Sequence, residues 1–258
     1  MDLQIQHQLF IVGGASSGLG KAVAESLIAE GAQILAVARD VEKLKALQAL
    51  APHRIEIFAA DLSEISTIQP LMDRVGNRQL HGILVNAGGP PAKTVLETTL
   101  EDWDAAYKNL LRWKVALTKA FAPRMMQAHY GRILFVESAS VKQPLENLVL
   151  STSLRLAVVG FAKTFAQEIA KTGVTINILA PGAHDSPAIN RIHIKRSEQT
   201  GIPIQEIRNL GKAEIPVGAL GNTADFASLA TWLLSPIASY ITGQTISVDG
   251  GSLKTIFG

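Results

Sequence analysis

The chain has 258 residues, 47% of them hydrophobic and 18% charged, with a formal net charge of +2. That composition can bury a large core, and a near-balanced charge without a basic run interleaved with aromatics gives no electrostatic footprint for nucleic acid. The absence of cysteine excludes a disulfide framework, a thiolate nucleophile and a zinc-thiolate site.

Residues 1–8 lack the charged and apolar regions of a secretory signal. No apolar stretch approaches the roughly 18 residues of a membrane span, so a cytoplasmic protein with no membrane partner is expected. Short apolar runs alternate with longer amphipathic segments. Leu9–Val12 reads as a buried strand broken by glycines, and Gly18 to about Glu30 as a helix ending at Gly31. Gln33–Ala38 is a second strand, and Val41–Leu50 a helix with leucines at Leu44, Leu47 and Leu50. Ile55–Ala59 and Gly82–Val85 are further strands, separated by a helical stretch from near Ser63. A long helix is predicted over about 101–127, with a kink at Pro123. Arg132–Val136 is the fifth strand, Leu148–Lys171 a helix closed by Gly173, and Val174–Leu179 the sixth strand. A polar stretch, about Ala183–Ala213, precedes a last helix near Ala224–Leu234 and a strand at Thr245–Val248.

This alternation implies right-handed βαβ units and a parallel sheet covered on both faces. The predicted fold is a doubly wound Rossmann-type α/β three-layer sandwich with a seven-stranded parallel sheet. No repeat, low-complexity tract or linker interrupts it, so residues 1–258 are expected to form one domain. In such sheets ligands bind beyond the carboxyl ends of the strands.

Gly14, Gly18 and Gly20 follow a strand and open a helix, within the run Gly13-Gly14-Ala15-Ser16-Ser17-Gly18-Leu19-Gly20. Glycine lets the backbone approach a pyrophosphate, and a helix N-terminus offers free N–H groups and a positive dipole end. The spacing G-x-x-x-G-x-G resembles the short-chain dehydrogenase/reductase (SDR) family. The resemblance runs the length of the chain. It implies that Asp61-Leu62 flank the adenine, and that Asn86-Ala87-Gly88 stabilise the sheet and line the cofactor cleft. Pro181-Gly182 with Ser186 resembles the family's P-G-x-x-x-T segment, which holds the nicotinamide carboxamide; serine keeps the threonine hydroxyl. Residues 1–130 then form mainly the cofactor-binding half and 131–258 the catalytic and substrate half, with a substrate lid at about 183–213. At the end of the second strand, Ala38 replaces an acidic ribose partner and Arg39 offers a bidentate partner for a 2′-phosphate. NADP(H) is therefore the expected cofactor and NAD(H) the alternative, with the acidic Asp40 next door.

The family's proton comes from a tyrosine whose acidity is raised by a lysine, beside a serine and an asparagine. Ser138 stands at the serine position, but Ser151 falls on the tyrosine position and Arg155 on the lysine position, in a register fixed by Gly131 and Gly160-Phe161. Counting from Trp103 puts Leu110 at the asparagine position, with Asn109 one residue off. Tyr107, Tyr130 and Tyr240 are followed four residues on by Leu111, Leu134 and Gln244, so no Y-x-x-x-K exists in another register. Ser151 and Arg155 lie four apart on one helix face. Arginine keeps a fixed positive field but does not readily pass protons.

Lys142, on the loop after Ser138, is the first candidate for a replacement acid or anion anchor. His184 is a second titratable group near the cleft. Glu137, by strand alternation, is expected to point away from Ser138 in a structural role. The remaining histidines have no metal-ligand spacing, so no metal site is expected. The stretch 183–213 carries Arg191, Lys195, Arg196, Arg208 and Lys212 against Asp185, Glu198 and Glu206. That bias suits an anionic substrate and a solvated lid equally.

The reading is an NADP(H)-dependent oxidoreductase acting on a small carbonyl or alcohol substrate, with a non-tyrosine proton donor. Two alternatives stay open: a non-redox enzyme on the same scaffold (isomerase, dehydratase or cyclase), and a non-catalytic NADP(H)-binding protein. The resemblance also implies a homo-oligomer, a tetramer or dimer paired through the long helices.

Overall fold

The seven apolar runs pair as one sheet. In a computed structural model describing residues 1–86 and 88–256, the strands are β1 (Leu9–Gly13), β2 (Gln33–Ala38), β3 (Ile55–Ala59), β4 (Gly82–Asn86), β5 (Gly131–Val136), β6 (Val174–Pro181) and β7 (Thr245–Val248). Their order is β3-β2-β1-β4-β5-β6-β7, and every pairing is parallel. Parallel neighbours need crossovers, which cover both faces. The helices are α1 (Gly18–Ala29), α2 (Val41–Gln48), α3 (Ile68–Val75), α4 (Leu100–Tyr107), α5 (Trp113–Gln127), α6 (Val149–Ile169), α7 (Pro187–Thr200), α8 (Ile204–Ala213) and α9 (Thr223–Leu233).

The period of two along each strand divides the core. Phe10 and Val12 pack with Val23, Leu27 and Phe226 on the α1–α9 face. Leu9 and Ile11 pack with Leu117, Phe121, Val158 and Ala162 on the α5–α6 face. Connections reverse between β1 and β4, so the strand ends there open a crevice where ligands bind in such sheets.

Three expectations change. The helix predicted over 101–127 runs from Leu100 to Gln127 but widens to a π-helical turn at Lys108–Arg112, where α4 passes into α5. Pro123 sits within α5 without ending it. The polar stretch 183–213 is two helices, α7 and α8, separated at Gly201 with φ +71°. Finally, Val149–Thr172 is long and apolar enough to cross a membrane, with mean hydropathy 1.3. A search for unbroken apolar runs misses it because Arg155, Lys163, Glu168 and Lys171 interrupt the segment. It is a core helix here: Leu150, Ser151, Arg155, Val158, Ala162, Ala166 and Ile169 are buried along the face that meets β6.

Candidate active site

The glycine run forms a tight strand-to-helix turn. Gly14 has φ +66°, and a Cβ there would lie 2.7 Å from Asn86 Nδ2. A Cβ on Gly20 would lie 2.4 Å from Gly14 O. Both contacts demand glycine. Ser17 is the N-cap of α1 but makes no side-chain cap, which leaves the first N–H groups without an intrahelical partner. Ser16 is half-buried, Ser17 exposed and Leu19 half-buried along the same turn. The cradle thus fits an anionic pyrophosphate.

At the other end of the crevice, the Arg39 side chain is 81% exposed, and among the described residues its only ion pair is with Asp61, at 3.5 Å. Asp40 is turned away from it: its carboxylate accepts from Lys43 N and caps α2. The sequence concern over Asp40 therefore meets a helix cap. Asp61 also accepts from the Ser63 hydroxyl and amide, and buried Leu62 would meet a Cβ on Gly13 at 3.1 Å. Asn86 Nδ2 donates to Gly13 O at 3.5 Å, tying β4 to β1. Ala87 lies outside the described residues.

Ser151 and Arg155 of α6 meet at the end of β5, where Arg155 reaches Val136 O, and Ser138 lies two residues further along the chain. Ser138 Oγ accepts from Ser140 N at 3.2 Å, so its own O–H is free to donate. Arg155, only 5% exposed, donates to four protein acceptors. Nε reaches Ser151 Oγ at 3.1 Å, Nη1 reaches Glu137 Oε2 at 2.9 Å and Val136 O at 3.4 Å, and Nη2 reaches Gly88 O at 3.3 Å. Leu110 is buried and Asn109 exposed.

The sequence reading missed the group that holds Arg155. Lys114 of α5 donates to Glu137 Oε1 at 2.5 Å, and neither side chain has any exposure. Burial, then the Arg155 charge, lowers the Lys114 pKa to about 8 against the pull of Glu137. Glu137 does have the structural role expected of it, with both oxygens occupied by cations. A signal was present. Lys114 shares helical spacing with buried Leu117, Thr118 and Phe121, and a lysine on a buried stripe needs an acidic partner.

Lys142 is half-buried and makes no hydrogen bond or ion pair with Ser138, Ser151 or Arg155 among the described residues. Burial and then the Lys163 charge lower its pKa, opposed by Asp249. His184 is a packing residue: Nδ1 pairs with Gly182 O at 3.1 Å, and the ring meets Phe226 edge-on at 5.6 Å. Gly182 N donates to Val248 O, fixing the Pro181-Gly182 turn to β7. Ser186 caps α7 without a side-chain hydrogen bond, and its Cβ would lie 3.6 Å from one built on Gly18. It faces the glycine loop across the crevice. A cavity of about 830 Å³ between α7 and α8 is lined by Ser186, Asn190, His193, Arg208 and Lys212, among others. The other cations of residues 183–213, Arg191, Lys195 and Arg196, are exposed and do not line it.

The family model for enoyl-(acyl carrier protein) reductase matches residues 14–252. The chain belongs to the short-chain dehydrogenase/reductase family. Among SDR relatives, it is 32% identical over 259 residues to 2,3-dihydroxy-2,3-dihydro-p-cumate dehydrogenase of Pseudomonas putida, covering 97% of this chain and 96% of that protein. It is 31% identical over 244 residues to nodulation protein G of Rhizobium sp. (strain N33), covering 93% and 95%. The fold superposes on L-sorbose reductase of Gluconobacter frateurii, solved with NADPH and L-sorbose, at TM-score 0.92 and 27% identity, over 99% of this chain and all of that one. The chain is thus an SDR oxidoreductase with a Rossmann fold.

Proposed function

We propose that this SDR protein is an NADP(H)-dependent oxidoreductase interconverting a carbonyl and an alcohol on a small-molecule substrate, with Ser138 and Arg155 in its site and a proton donor other than tyrosine. The observation that carries this reading is the Arg155 guanidinium held at Gly88, at the carboxyl end of β4, beside a glycine cradle fitted to a dinucleotide. Arg39, exposed and paired with Asp61 only at 3.5 Å, can meet a 2′-phosphate at the adenosine end, and NADPH in L-sorbose reductase supports the same choice. NAD(H) is the weaker alternative.

Bound there, the cofactor supplies or accepts the hydride at the substrate's carbonyl carbon. The chain's own residues handle the oxygen. Ser138 donates its O–H to the carbonyl oxygen, and Arg155 contributes a fixed positive field toward the developing oxyanion. Ser151 steadies Arg155 through Nε. The proton comes from Lys142, whose ammonium is made more acidic than usual by burial and by Lys163. The occupation of Arg155 by four protein acceptors favours one second reading: a cofactor-binding SDR protein without redox turnover.

NADPH oxidation against ketones, quinones, imines and enones separates the two. Turnover by the wild type that falls at least about 100-fold in Ser138→Ala supports the enzyme. Activity confined to the double variant Ser151→Tyr/Arg155→Lys supports the second reading. In calorimetry, NADPH is expected to bind more tightly than NADH and Arg39→Ala to remove the difference; tighter NADH binding overturns the cofactor assignment.

A further inference from the structure

Three charged side chains from three elements meet out of reach of water. Lys114 (α5), Glu137 (just after β5) and Arg155 (α6) are linked at 2.5 and 2.9 Å, with side-chain exposures of 0%, 0% and 6%. With Glu137 ionised and Lys114 protonated, the three sum to one positive charge; with Lys114 neutral they sum to none. An uncompensated buried charge is costly. Lys114 Nζ has no other hydrogen-bond partner among the described residues, and its other close neighbour is the Trp113 ring, 5.9 Å from Nζ to centroid. Arg155 carries the cluster's charge outward to Gly88 and Ser151.

We propose that Lys114 and Glu137 are positioning residues that set the charge behind Arg155 and thereby favour binding of reduced over oxidised NADP(H). The inference rests on the proposed function, because it needs the nicotinamide end of the cofactor to lie near Arg155. A reduced nicotinamide ring is neutral and an oxidised one carries a positive charge. The two forms share every phosphate, so contacts at the adenosine end, including Arg39, cancel from the ratio of their affinities. What remains is the ring charge against the local field. A net positive cluster disfavours the oxidised ring.

The ratio then depends on pH. Lys114 is the member of the cluster that titrates near neutrality, at about 8, and the charged groups acting on it are Glu137 and Arg155. Its deprotonation removes the excess charge and with it the preference. Lys142, the other lysine of the site with a lowered pKa, is the control.

The test measures dissociation constants of NADPH and NADP+ at pH 6.5 and 9.5, by protein fluorescence, for the wild type, Lys114→Met and Lys142→Met. The wild-type preference for NADPH is about three- to tenfold larger at the lower pH. Lys114→Met shows the smaller preference at both pH values, and Lys142→Met keeps the wild-type step. Glu137→Gln, if folded by circular dichroism, moves the step to lower pH, because Glu137 is the group that raises the Lys114 pKa; if it does not fold, the wild-type comparison decides. A flat wild-type ratio, or a step that persists in Lys114→Met, overturns the inference alone. Failure of both nucleotides to bind the folded wild type overturns the proposed function with it.

Discussion

Glu137 accepts from two cations where no solvent reaches, so its removal leaves two positive charges facing each other in a dry site. Breaking a buried ion pair by deleting one partner costs about 3–5 kcal/mol, and Glu137→Ala is expected to lose stability in that range by urea denaturation. Lys114 makes a separate prediction in pH. Its folded pKa is about 8 against an unfolded value of 10.5, so between those values the unfolded chain binds the extra proton. Stability contributed by this residue therefore rises with pH across that window. Unfolding free energies at pH 7.5 and 10 check it: the wild type gains relative to Lys114→Met as pH rises. The lysine and glutamate are legible in the sequence as charges on apolar elements. Their pairing is not, because 23 positions separate them and only the sheet brings α5 and β5 together.

The turn from β1 to α1 shows how an element can be fixed by sterics. A methyl group on Gly20 would press on the Gly14 carbonyl, at 2.4 Å from its oxygen and 2.7 Å from its carbon. Backbone on both sides leaves little room to yield, so Gly20→Ala is expected to cost about 1–3 kcal/mol. It should also weaken NADPH binding at least about tenfold, because the turn that presents the free N–H groups must shift; calorimetry and thermal unfolding check the two effects. A neutral substitution on both counts would mean that the loop relaxes freely. The long helix around Trp113 was less predictable. Apolar periodicity persists through residues 108–112, and nothing in it distinguishes an α-helical from a π-helical turn.

For the whole molecule, the exposed apolar side chains Leu100, Tyr107 and Leu156 on α4 and α6 leave surface that a second chain can cover. We expect a homo-oligomer, a tetramer or dimer, built through the long helices. Light scattering checks it directly, and a mass of 27.6 kDa, that of one chain, overturns it. The pairing of α7 with α8 belongs to this scale too. Arg208 of α8 donates to Asn190 of α7 at 2.6 Å, across two helices that the sequence offers only as a polar stretch.

Strand positions, the parallel sheet and the glycine cradle were decided by local sequence, because period-two and period-3.6 patterns and glycine spacing act over a few residues. The proposal that Ser151 and Arg155 stand in place of tyrosine and lysine rests equally on local sequence, as a matter of register. What Arg155 does there was decided only by the tertiary structure. Its charge is shared with Glu137 and Lys114, residues on other elements whose meeting depends on the order of β4, β5 and the helices that cover them. Burial then makes that meeting consequential, since charges in a dry interior interact far more strongly than the same residues would in water.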